Sequence, residues 1–114
     1  MSKEIYQSNG EVITITKDNF KEEVLEKEYL TILDFWATWC GPCQMLSPIV
    51  DDLCKEFTNV KFGKVNTDEE PDLAMQFGIR NIPTLAFIKN SKTEDLSIGL
   101  VSKEELEDMI RRYQ

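Results

Sequence analysis

Between residues 30 and 36 the chain reads Leu30-Thr31-Ile32-Leu33-Asp34-Phe35-Trp36, with apolar side chains at odd and even positions alike. A strand with one wet face alternates apolar and polar residues, whereas a strand apolar on both parities must be covered on both faces. The segment therefore calls for a layered fold, with helices above and below a sheet in which this strand is central.

The flanking sequence supplies those layers. Val12-Ile13-Thr14-Ile15 is β-branched throughout and reads as a strand, and Phe20, Val24 and Leu25 follow at helical spacing. Leu46, Ile49, Val50, Leu53, Cys54 and Phe57 step by three and four, which predicts a long amphipathic helix that Pro48 should kink. Val60 to Val65 reads as strand. Asp68 to Phe77 reads as a short helix with Pro71 in its first turn and Gly78 at its end. Ile82 to Ile88 and Leu96 to Leu100 read as strands joined by Lys89-Asn90-Ser91-Lys92, and Ser102 with Glu105 forms a capping box ahead of Leu106, Met109 and Ile110.

The order β-α-β-α-β-α-β-β-α predicts an α/β fold with a mixed sheet, parallel in part, an antiparallel hairpin at one side and helices on both faces. Residues 1–10, closed by the turn pair Asn9-Gly10, read as a short N-terminal extension to one domain over residues 11–114. In such sheets ligands gather beyond the carboxyl ends of the parallel strands, which directs attention to the loop after Trp36.

Composition narrows the chemistry. With 13 basic and 21 acidic residues the chain carries a formal charge of −8, so nucleic acid and anionic membranes are poor partners. It contains no histidine, which removes serine–histidine and cysteine–histidine catalysis and most zinc sites. A chain of 114 residues buries about two thirds of its unfolded surface and needs no metal or disulfide to fold, which leaves its three cysteines free for chemistry. An odd number points to a compartment that keeps thiols reduced. The start, MSKEIYQSNG, lacks an apolar stretch or a cleavage signal, and the expectation is a cytoplasmic monomer with no membrane partner.

The loop after Trp36 contains Trp39-Cys40-Gly41-Pro42-Cys43, immediately before the long helix. Side chains three apart on a helix have Cβ atoms about 5–6 Å apart, and a disulfide needs about 3.8 Å, so small movements open and close such a bond. Cys40 falls where the unpaired N–H groups and positive dipole end of the helix favour a thiolate, which suits a nucleophile. Cys43, one turn further in, suits the thiol that attacks a mixed disulfide and releases the product. Pro42 costs no hydrogen bond in the first turn. A CxxC pair is also half of a zinc site, but zinc wants four ligands and only Cys54 remains, which reads as a small core residue.

Asp34 shares parity with Leu30, Ile32 and Trp36, and a buried carboxylate there must be protonated, paired or hydrated. It is either a structural group capping a neighbour or a functional one. Lys64 shares parity with Val60 and Phe62 on the next parallel strand, and would otherwise simply reach to solvent.

Taken together, the run Asp34-Phe35-Trp36-Ala37 into WCGPC, Pro48, Lys64-Val65-Asn66, Gly78-Ile79-Arg80, Ile82-Pro83-Thr84 and Gly99 resembles the thioredoxin family over about residues 11 to 112. The resemblance implies a thiol–disulfide oxidoreductase that reduces protein disulfides, with no cofactor beyond a redox-active Cys40–Cys43 disulfide. It implies that Asp34, below the inner cysteine, takes the proton from Cys43 through water, and that Lys64 pairs with Asp34. It implies a cis peptide bond at Ile82-Pro83. Trp39, Gly41, Pro42, Ile82, Pro83 and Gly99 would form the apolar groove for clients, with the backbone of Ile82 pairing with an extended substrate. Trp36 and Pro48 would be structural.

The implied partners are a thioredoxin reductase and disulfide-bearing clients such as peroxiredoxin or ribonucleotide reductase, with roles in electron transport and cell redox homeostasis. Two alternative readings of this chain are a thioredoxin-like binding subunit whose cysteines are incidental and a disulfide isomerase or oxidase of the same fold. Gln44, Asn81 and Ser91 depart from the commonest family pattern, which bears on client choice more than on activity.

Overall fold

The computed structural model describes residues 4–114; the first three residues of the N-terminal extension lie outside the described residues. Nine elements follow in the predicted order: β1 (Ile13–Thr14), α1 (Phe20–Val24), β2 (Thr31–Trp36), α2 (Gly41–Glu56), β3 (Lys61–Asn66), α3 (Pro71–Gln76), β4 (Thr84–Lys89), β5 (Lys92–Ile98) and α4 (Lys103–Tyr113). They form one five-stranded sheet in the order β1-β3-β2-β4-β5. β1, β3 and β2 are mutually parallel neighbours, while β4 runs antiparallel to β2 and β5 antiparallel to β4.

The double parity of β2 resolves into two cores. Leu30 and Ile32 face α2 and α4, packing with Leu46, Leu53, Phe62, Leu85, Phe87, Leu106 and Ile110. Leu33 and Phe35 face the other way, with Ile15, Phe20, Val24, Val65 and Leu73 around them. Asp34 belongs to the first parity, so it points toward the layer that carries α2. Gly63 lies between β1 and β2, where an added Cβ would come within 2.7 Å of Ile15 Cγ1 and 2.9 Å of Leu33 Cδ2. Only a residue without a side chain lets the three strands close up there.

The edges of the sheet differ from their predicted extents. β1 is confined to Ile13–Thr14, which pair with Gly63 and Lys64, and one further bond follows it, from the Ile15 N–H to the Lys64 carbonyl at 2.9 Å. β5 begins at Lys92 and ends at Ile98, so the connection from β4 is only Asn90 and Ser91, both with positive φ (54° and 64°). That is the backbone of a tight two-residue hairpin. Ser91 takes the left-handed conformation without being glycine, and its Oγ accepts a hydrogen bond from the Glu26 N–H at 2.5 Å. The capping residue of α4 is as predicted: Ser102 Oγ accepts from the Glu105 N–H at 3.2 Å.

The described part of the extension packs on the body. The Ser8 N–H donates to the Thr58 carbonyl at 2.7 Å, and the Tyr6 ring stacks on Tyr29 with centroids 4.9 Å apart. Both rings lie over the Lys61 ammonium, at 5.3 and 5.5 Å. Lys61 is only 4% exposed and donates to the Glu23 carboxylate at 2.7 Å and to the Glu23 carbonyl at 2.8 Å. Burial opposes its charge, but the hydrogen bonds to Glu23 and Tyr29 hold its pKa above the ordinary lysine value. Among the described residues no helix is long and apolar enough to cross a membrane.

Candidate functional site

The site forms where β2 ends and α2 begins. Cys40 is the N-cap of α2, with extended backbone angles, and its Sγ accepts the Cys43 N–H at 3.2 Å. One of the N–H groups that a helix start leaves without a backbone partner is thus aimed at this sulfur. Cys40 and Cys43 are joined as a disulfide with Cα atoms 5.3 Å apart, and both are buried. Gly41 and Pro42 occupy the exposed first turn, and nothing lies within 4 Å of a Cβ built on Gly41.

Ile82 lies beside the pair, and its carbonyl oxygen is 3.8 Å from Cys40 Sγ. The Ile82-Pro83 peptide is cis, and the Pro83 carbonyl accepts the Gly99 N–H at 2.8 Å. Gly99, at φ 87°, takes up the turn that this contact requires. Trp39 stands 70% exposed on the other side, its indole N–H donating to Asp68 Oδ2 at 2.9 Å. Ile98 and Leu100, which bracket Gly99, are exposed as well. The predicted groove residues Trp39, Gly41, Pro42, Ile82, Pro83 and Gly99 all belong to the segments surrounding the disulfide.

Below the disulfide, Asp34, Trp36, Cys43, Gln44, Ser47 and Lys64 line one cavity of about 110 Å³. Asp34 is 6% exposed and its Oδ1 has no hydrogen-bond partner. Burial raises its pKa to about 7, with Lys64 pulling the other way and Asp51 adding slightly to the rise. Lys64 is the register partner of Asp34 across β2 and β3, yet its side chain runs out to solvent and the two make no direct ion pair. Their interaction is electrostatic across the cavity instead of a contact. Trp36 lines this cavity and also a second one beside β1, with Thr14, Ile15 and Lys64, and Pro48, inside α2, leaves the Gln44 carbonyl without its intrahelical donor.

Sequence reasoning missed Ser47 and Asp68. Ser47 could have been found from its i+4 spacing to Cys43, which puts both on one face of α2. Asp68 lies just after β3, and nothing local ties it to Trp39. Cys54 is enclosed in the core, and among the described residues no group of three or more acidic or sulfur side chains could hold a metal.

Comparison with known proteins agrees with this geometry. The family model described as Thioredoxin matches residues 11–112. A thioredoxin of Rickettsia felis is 46% identical over 86% of this chain and 94% of its own, and one of Porphyra purpurea is 43% identical over 90% and 96%. An M-type chloroplastic thioredoxin of Spinacia oleracea is 44% identical over 90% of this chain and 58% of its own. Among solved structures, a mutant thioredoxin from Halobacterium salinarum superimposes with a TM-score of 0.85 at 32% identity, covering 93% of each chain. With the fold, the disulfide at the helix N-terminus and the matched sequence in accord, the chain belongs to the thioredoxin family, thiol–disulfide oxidoreductases that reduce protein disulfides through their own cysteine pair.

Proposed function

We propose that the protein works as a dithiol reductant in which Cys40 attacks and Cys43 resolves. The observation that carries this reading is the Cys43 N–H pointing at Cys40 Sγ from the first turn of α2, which favours negative charge on that sulfur. In the reduced protein the Cys40 thiolate attacks one sulfur of a client disulfide, forming a mixed disulfide and releasing the first client thiolate. Cys43 then attacks Cys40 Sγ, closing the Cys40–Cys43 bond and releasing the second. Asp34 receives the Cys43 proton across the cavity they share, and Lys64 tunes the carboxylate from the far side.

Trp39, Gly41, Pro42, Ile82, Pro83 and Gly99 receive the client, with the Ile82 backbone available to an extended segment. Residues 11–114 form the working domain and residues 1–10 its extension. The partners in general are a reductase that recharges the disulfide and proteins with reducible disulfides. More specifically, the reading is a cytoplasmic monomer fed by a thioredoxin reductase, serving clients such as peroxiredoxin or ribonucleotide reductase in electron transport and cell redox homeostasis. The odd cysteine count, with Cys54 free, supports a reducing compartment.

Insulin disulfide reduction driven by dithiothreitol tests the assignment. Cys40→Ser should abolish catalysis above the uncatalysed rate, and Cys43→Ser should accumulate mixed disulfides through Cys40. Full activity in Cys40→Ser would overturn it.

A further inference from the structure

We propose that Ser47 is a positioning residue for the resolving step, its hydroxyl holding the water through which Cys43 passes its proton to Asp34. The inference rests on the base role of Asp34 proposed above and adds the group that makes the transfer path continuous.

Asp34 and Cys43 line the same cavity. Its volume of about 110 Å³ accommodates water. The buried Asp34 Oδ1 has no protein partner, and a carboxyl oxygen in that position is satisfied by water or not at all. A water that relays a proton must accept from one group and donate to another, and it is oriented best by a neighbour that can do both.

The other lining side chains fit that task poorly. The Lys64 ammonium and the Trp36 indole only donate. The Gln44 side chain is held by the bond from its Nε2 to the Thr38 carbonyl at 2.8 Å. Ser47 carries a rotating hydroxyl, donor and acceptor together, one turn beyond Cys43 on the same helix face.

During resolution the Cys43 S–H proton moves to the water while a water proton moves to Asp34. The sulfur so exposed bonds to Cys40 Sγ, and the bond from Cys40 to the client sulfur breaks, its electron pair leaving with the client thiolate. No external oxidant or reductant enters. Lys64 on β3 and Asp51 on α2 are the charged groups acting on Asp34, and Ser47 substitutions leave both in place.

The test uses the reduced protein and a symmetrical aromatic disulfide whose thiolate is coloured on release, so that the first release reports attack by Cys40 and the second reports resolution. Ser47→Ala should slow the second phase about three- to tenfold, the worth of one uncharged hydrogen bond. The first phase and the thermal midpoint should not fall, since alanine favours a helix more than serine. Ser47→Thr should restore the second phase, and its pH profile should match the parent's. Wild-type resolution in Ser47→Ala together with slow resolution in Asp34→Asn would overturn the role of Ser47 alone. Unchanged resolution in both variants would overturn the base role and this inference with it, and a Ser47→Thr variant as slow as Ser47→Ala would show that the hydroxyl is not what acts.

Discussion

Asp34 and Lys64 are register partners on adjacent parallel strands, yet one is buried and the other exposed. The parity that turns Asp34 toward α2 places it beneath Cys43, while Lys64 follows the edge of the cavity outward. Burial therefore dominates the carboxyl, and the lysine offsets only part of its effect.

That balance sets a pH dependence of stability. Folded Asp34 keeps its proton to about pH 7, whereas the reference carboxyl releases it near 3.8. Between those values the folded state holds the extra proton, so its stability falls as pH rises through the window. The shift from 3.8 to about 7 corresponds to about 4 kcal/mol, an upper limit for what ionisation costs. Asp34→Asn should therefore be more stable than the parent at pH about 8, with the advantage shrinking toward pH about 4. Urea unfolding at the two pH values checks this; equal differences at both would contradict it.

The same electrostatics predicts a displaced rate profile. Resolution should accelerate as pH rises through about 7, where Asp34 becomes able to accept a proton. Lys64→Gln removes the nearby charge that lowers this value, so the midpoint should move to higher pH. Stopped-flow measurement of the second thiolate release across pH reads the midpoint directly, and a shift to lower pH would refute the coupling.

Gly63 fixes how closely the strands approach. In Gly63→Ala the new methyl would press on Ile15 and Leu33, both fully buried. Overpacking of this kind costs about 1–3 kcal/mol. Chemical denaturation should show the loss, with insulin reduction by the folded fraction little changed.

Tyr6 tests whether the extension contributes to the fold. Tyr6→Ala removes the stack on Tyr29 and one of the two rings over buried Lys61. A loss of about 1–2 kcal/mol is expected, and Tyr6→Phe should retain most of it. Thermal or urea unfolding of the three proteins decides the matter.

Much of this architecture is legible in the sequence because the signals are local. Two-sided apolarity in Leu30–Trp36 specifies a central strand, and the Cys40 and Cys43 spacing at a helix start specifies the redox site. The first half of β5, Lys92-Thr93-Glu94, escapes notice because it is an exposed edge with no apolar alternation. The burial of Lys61 is invisible for another reason: Glu23, Tyr6 and Tyr29 reach it only through tertiary structure. The resemblance led to an Asp34–Lys64 pair, but the strand register gives proximity without contact, which no motif encodes.

Cys54 has a practical consequence of its own. Its sulfur is fully enclosed, with Ser8 Oγ at 3.8 Å, and burial pushes its pKa up. With Cys40 and Cys43 bonded to each other, the oxidised native protein offers alkylating reagents no accessible thiol. Each modification event must then wait for the core around α2 to open. The chain thus contains an intrinsic clock for its own breathing, readable as the labelling rate of one sulfur, without any engineered probe.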